Sequence, residues 1–124
     1  MQQFQASKPI YEQIADRIKR QIIRHELKAG EKLPSVREMA VQSGVNPNTV
    51  QRTYMELERE EVVETKRGQG TFVTENKNIL DEMREQMKTE QIKSFVELMQ
   101  EMGYEPKEML NSLKDYIAKD GGIE

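Results

Sequence analysis

Within GVNPNTVQRTYMELE, residues 44–58, Asn46, Asn48, Thr49, Gln51 and Arg52 are spaced to read a surface rather than to react with one. Asn and Gln side chains match the edge of adenine, Arg matches guanine, and Thr can meet a phosphate or a thymine methyl. The same residues also suit an ordinary capped helix with a solvated face, because polar first turns are common. On this segment alone both readings stand.

The elements that must position these side chains follow from local signals. Asn46 is a good N-cap, and Pro47 suits the first helical position, where its fixed φ helps and its missing N–H costs nothing. A helix is therefore expected from about Pro47 to Glu60, with Val50, Tyr54 and Leu57 turned to the core. In LPSVREMAVQSG, Ser35 and Glu38 have the spacing of a capping box, and Gly44 ends a short helix whose apolar face is Val36, Met39 and Ala40. The tight connection Ser43–Asn46, with Val45 packing inward, makes the pair a helix-turn-helix. Ahead of it, Pro9 opens a helix with a core stripe of Ile10, Ile14, Ile18 and Ile22, joined by Tyr11, Ala15 and Leu27. Gly30 is expected to mark its exit.

After the third helix, EEVVETKRGQGTFVTEN reads as strand, turn and strand. Val62 and Val63 precede the tip Lys66-Arg67-Gly68-Gln69-Gly70, and Thr71, Phe72 and Val73 follow it. A hairpin directly after a helix-turn-helix makes a winged helix, whose basic tip can reach the DNA backbone or minor groove. A phosphate-binding glycine loop is the other reading of RGQG. It lacks the following helix that such a loop requires.

Bulk properties exclude several classes. The 124 residues suit one compact domain, or one domain with a short appendage. There is no cysteine and a single histidine, His25, so neither disulfides, thiolate chemistry nor a conventional zinc site is expected. With no carboxylates clustered in an apolar pocket, no reaction site assembles and no cofactor is expected. His25 is expected at the surface near the end of the first helix, where a cation is favourable. No apolar run approaches ~20 residues and no secretory signal opens the chain, so a soluble, cytoplasmic protein is expected, with no membrane partner. The net charge of −3 divides unevenly: residues 1–74 hold 12 Lys/Arg against 10 Asp/Glu, and residues 75–124 hold 7 against 12. Two functional parts are implied, and any DNA-binding charge must be concentrated on one face.

Taken together, PIYEQI, G-E-K-LPS-x-RE-x-A, GV-x-x-NTV, ELE-x-E and RGQGTFV resemble, in order and spacing, the DNA-binding domain of the GntR family of bacterial transcription regulators. The similarity covers nearly all of residues 8–74, and NPNTVQRTY with the short C-terminal part looks like the YtrA-like branch. The resemblance implies a mainly α fold with a small β-hairpin: a winged helix-turn-helix domain over residues 1–74, then a two-helix arm over 75–124. It implies DNA contacts from Ser35 and Arg37 ahead of the recognition helix. Further contacts are implied from Asn46, Asn48, Thr49 and Gln51 at its start, and from Arg67, Gly68 and Gln69 at the wing, where the basic hairpin tip adds Lys66. Much of the family has Ser-Arg-x-Thr where this chain has Asn-Pro-Asn-Thr, and often Arg where it has Gln51. Its base preference therefore does not carry over, and Arg52 is a candidate replacement donor.

The arm is expected to hold a long amphipathic helix to about Met102, irregular near Lys88, stopped by Gly103 and followed by a helix from Pro106. Two such helices cannot bury both apolar faces within themselves. A homodimerisation arm is expected, against the alternatives of a core extension or a methionine-lined ligand pocket. The effector domains of larger GntR branches are far longer, and a small-molecule effector at the dimer interface is left open. The functional expectation is a repressor on double-stranded DNA at an inverted repeat, with transporter genes as the usual context of the branch. The alternative is a winged-helix module for protein contacts without specific DNA binding.

Overall fold

The computed structural model describes Phe4 and residues 7–121, with side chains through Lys119. Its elements are α1 (Ile10–Ile23), α2 (Val36–Ser43), α3 (Pro47–Arg59), β1 (Val63–Lys66), β2 (Gly70–Val73), α4 (Lys77–Glu101) and α5 (Pro106–Tyr116), with a π turn over Ile117–Gly121. Packing divides the chain into two compact units, Met1–Arg84 and Glu85–Glu124.

The core of the first unit is built by Ile14, Ile18 and Ile22 of α1, Met39 and Ala40 of α2, and Val50, Tyr54 and Leu57 of α3. Leu33, Val62, Val63 and Val73 close it. Thr53, fully buried among them, has its Oγ1 2.9 Å from the Tyr11 carbonyl and 3.1 Å from that of Thr49, so one hydroxyl ties α3 to α1. At the far end of the same contact, Lys19 pairs with Glu60 at 2.5 Å.

Three expectations about α1 need correction. Ile10 is 42% exposed, so the core stripe begins at Ile14 and Ala15. Pro9 is the N-cap residue rather than part of the first turn. Gly30 does not end the helix: α1 stops at Ile23, and His25 makes the reversal in the left-handed region at φ 64. The apolar period runs out at Ile22, and Leu27 belongs to the loop beyond it.

Gly30 instead opens a short edge of sheet. Its N–H donates to the Val73 carbonyl at 2.9 Å, Val73 N–H donates to Glu31, and Leu33 N–H donates to Thr71 at 2.8 Å. Residues 30–33 thus flank the hairpin, bridging at Lys32 and Phe72. The hairpin itself is antiparallel, pairing Val63 with Val73 and Lys66 with Gly70. Its tip closes with Gln69 N–H donating to the Lys66 carbonyl at 2.8 Å. Val62 lies just ahead of β1 rather than within it.

Asn76 starts α4 by accepting the Asn78 N–H on Oδ1 at 3.0 Å. The first two turns belong to the first unit: Met83 is buried, and Arg84 donates to the exposed end of α1 at the Ile23 carbonyl, 3.0 Å away. The helix continues unbroken through Lys88, which pairs with Glu85 at 3.0 Å, so the expected irregularity is absent. No breaker residue sits there. What changes is the side: Leu80, Met83 and Met87 form one stripe, and Ile92, Phe95, Val96 and Met99 form another.

In the second unit Gly103 reverses the chain at φ 89, and Glu105 N–H donates to the Glu108 carboxylate at 2.9 Å to start α5. Met109 is its one buried hydrophobic among the described residues, while Leu98, Met102, Leu110, Leu113 and Tyr116 are exposed. No helix of the described residues is long and apolar enough to cross a membrane.

Candidate nucleic-acid interface

The helix-turn-helix is held at its turn by three local devices. Ser35 Oγ accepts the Glu38 N–H at 3.1 Å while the Glu38 carboxylate accepts the Ser35 N–H at 2.9 Å, completing the capping box. The Ser35 backbone N–H first, and its side chain second, hold the Glu38 carboxyl below its usual range. Gly44 ends α2 in the left-handed region at φ 69, where a side chain is strained. Asn46 Oδ1 then accepts the Asn48 N–H at 2.7 Å to start α3. From α1, Arg17 reaches across and donates to Ser43 Oγ at 2.7 Å, placing a cation at the C-terminal end of α2. Burial lowers the pKa of that guanidinium, with neighbouring Arg20 adding to the shift.

With that turn set, Asn48, Gln51 and Arg52 stand exposed on the face of α3 opposite Val50, Tyr54 and Leu57. Asn48 and Gln51 have no side-chain hydrogen bond among the described residues, so their amides are available for recognition. Thr49 is half-buried, and Asn46 has committed its oxygen to the cap while its amide nitrogen remains available. Arg37 is exposed on the first turn of α2, beside the exposed Ser35.

The wing is anchored on the same scaffold because β1 packs against α3. Lys66, Arg67, Gly68 and Gln69 are all exposed, with Gly68 at φ 76 in open space. The Lys66 ammonium lies 4.8 Å from the centre of the Phe72 ring. Lys32 was not anticipated from the sequence. Its side chain runs across Gly70 so closely that a Cβ there would sit 2.7 Å from Lys32 Cε. The signal was present in the G-E-K-LPS segment, but only the strand pairing of residues 30–33 carries this lysine to the wing.

Tyr11 is the second unanticipated neighbour. Its ring centre is 4.0 Å from the guanidinium carbon of Arg52, a cation–π stack worth about 0.5–1 kcal/mol at an exposed site.

The arrangement is a polar, exposed helix beside a basic hairpin tip, built for hydrogen bonding rather than bond-making. Among the described residues no group of His, Cys, Asp or Glu is placed to hold a metal ion. The profile of the bacterial regulatory proteins of the gntR family matches residues 10–73, from the start of α1 to the end of the wing. The chain belongs to the gntR family.

Within this gntR family it is YtrA-like. It is 54% identical over 120 residues to the uncharacterized HTH-type transcriptional regulator YhcF of Bacillus subtilis, covering 97% of this chain and 98% of that one. To the HTH-type transcriptional repressor YtrA of the same organism it is 48% identical over 92 residues, covering 73% and 71%. A gntR family regulator from Listeria monocytogenes superposes with a TM-score of 0.85 at 37% identity, covering 90% of this chain and 98% of that one. The DNA-binding domain of AraR, solved in complex with operator ORX1, matches with a TM-score of 0.54 at 25% identity, over 60% of this chain and 92% of that one. This gntR family chain is therefore a DNA-binding transcription regulator and not an enzyme.

Proposed function

We propose that the protein is a dimeric operator binder that represses transcription in the cytoplasm by occupying an inverted repeat. The observation that carries this reading is the exposed polar face of α3 at Asn48 and Gln51, whose side chains make no hydrogen bond among the described residues, flanked by the basic wing tip. In this reading Asn48 and Gln51 read base edges. Ser35, Arg37, Asn46, Thr49, Arg52 and the tip Lys66–Gln69 set register on the backbone. Repression takes its support from the repressor YtrA, at 48% identity.

Residues 1–74 carry the DNA contacts and residues 75–124 the dimer contacts. Leu110, Leu113, Tyr116, Leu98 and Met102 are too many exposed apolar side chains for a stable lone helix pair, and a second copy would cover them. Two recognition helices would then be set about one turn of DNA apart, ~34 Å. An effector, if the arm takes one, belongs at that interface. The cleft lined by Ile22, Leu27, Leu80 and Met83 measures only about 160 Å³, below the ~300 Å³ of typical ligand sites.

Selection from a random double-stranded DNA pool, with full-length protein at near-physiological salt, tests this. Enrichment of an inverted repeat is expected. Binding without enrichment would overturn specific readout, and an absence of binding would favour a winged-helix module for protein contacts.

A further inference from the structure

Arg52 sits at the edge of the exposed face of α3. At 100° per residue, it lies on the side nearest Thr53, while Gln51 lies on the opposite side, next to Tyr54. Thr53 is the residue bonded to the Tyr11 carbonyl, so that edge of α3 is the one facing α1. There the guanidinium carbon of Arg52 lies over the Tyr11 ring, 4.0 Å from its centre. Stacking of this kind occupies the π face and leaves the in-plane N–H donors available. Arg52 is exposed, and no carboxylate pairs with it among the described residues. The ring therefore holds a charged, unspent hydrogen-bonding fork on the α1 side of Asn48, across the helix face from Gln51.

A guanidinium at the flank of a groove-facing helix meets the sugar–phosphate backbone that borders the groove, not the base edges in its floor. We propose that Tyr11 is a positioning residue that presets Arg52 as a phosphate clamp at the α1 edge of the recognition helix. This rests on the reading of α3 as the DNA-facing helix. It also removes Arg52 as a replacement for the guanine-reading arginine that Pro47 displaces. The ordering cost of a long side chain is met before DNA arrives, so the stack acts through affinity and not through base choice.

The test is a double-mutant cycle in the full-length chain, with Tyr11→Leu, Arg52→Gln and their combination. Tyr11→Leu keeps apolar bulk and removes the π face, and the Thr53 bond survives because it uses the Tyr11 backbone. Binding is measured by fluorescence anisotropy across a salt series, on a mixed-sequence duplex of about 30 base pairs and on the duplexes enriched by selection. Arg52→Gln is expected to weaken binding to all of them alike and to lower the slope of log K against log salt by about 1.8 for a bound dimer, about 0.9 for each of its two Arg52 side chains. Tyr11→Leu is expected to weaken binding several-fold in the wild-type background and to have no effect once Arg52→Gln is present. Tyr11→Phe, which retains the π face, is expected to bind as wild type. Unfolding midpoints, measured alongside, separate these losses from a folding defect, which Tyr11→Phe and the combination would not reproduce in this pattern.

Additive effects of the two substitutions, or wild-type binding by Tyr11→Leu, would overturn the clamp while leaving the operator reading in place. A changed preference at a single base pair in Arg52→Gln would overturn it in favour of direct base reading. If wild-type protein bound no duplex, the DNA-facing assignment of α3 would fall, and the clamp with it.

Discussion

The Tyr54 hydroxyl donates to the Pro34 carbonyl at 2.7 Å, fastening the recognition helix to the loop that leads into α2. Burial pushes the phenol pKa up, the Glu38 charge pushes it further, and Arg17 opposes both. Tyr54→Phe is expected to cost about 1–2 kcal/mol by leaving that carbonyl unpaired, read as a lower urea midpoint at unchanged m. The raised pKa has a sign in pH as well. Its contribution is fully present below the unfolded value of about 10 and is lost as pH rises toward the folded one. Alkaline titration of stability should therefore fall more steeply in wild type than in Tyr54→Phe.

Glu38 works in the opposite direction. Its carboxyl is held low by the Ser35 N–H and hydroxyl, so its contribution is present above about pH 4.3 and is lost as pH falls through the depressed folded value. Glu38→Gln should lose less stability than wild type on acidification, when both are followed by circular dichroism. Ser35→Ala removes the cap itself and is expected to cost about 1 kcal/mol at neutral pH.

The start of α4 belongs to the DNA-binding unit through Met83 and Arg84. A fragment ending at Arg84 should fold as a monomer, whereas one ending at Thr74 should be markedly less stable. Met83→Ala in the full chain is expected to cost about 2 kcal/mol or more. Sedimentation of the longer fragment also tests the arm: a fragment that stayed dimeric would remove the dimer contacts from the rest of the chain.

Positioning and reading should separate at the interface. Arg67→Ala is expected to weaken binding to every sequence and flatten its salt dependence. Asn48→Ala and Gln51→Ala should instead relax the preference at particular base pairs, by about 1–3 kcal/mol each. Uniform loss from Asn48→Ala, with preference intact in a repeated selection, would exclude it as a reader.

What was legible in the sequence was what local chemistry controls. Ser35 with Glu38, and Asn46 with Pro47, announce helix starts within four residues of themselves, and both starts are found where those signals place them. Gly30 misled because a glycine after an apolar stripe has two uses, and here the reversal is made by His25 while Gly30 pairs with Val73. Contacts between distant segments had no local signal. Lys32 beside the wing needs an edge strand that only tertiary pairing creates, and Tyr11 under Arg52 needs α1 docked on α3. The polar face of α3 was readable as a candidate surface, but the division of labour along it was not, because that depends on which edge meets α1.

The Thr53–Tyr11 bond joins residues 42 apart in the chain, whereas α2 and α3 are linked by only three residues, Gly44, Val45 and Asn46. In kinetic terms these are different closures: the helix pair meets across a short loop, and α1 must be brought back over a long one. A chain in which α2 and α3 have joined but α1 has not docked already presents Asn48 and Gln51, yet lacks the ring beneath Arg52. Refolding followed by DNA binding would therefore pass from a weaker, less salt-sensitive species to the competent one in the step that docks the first helix.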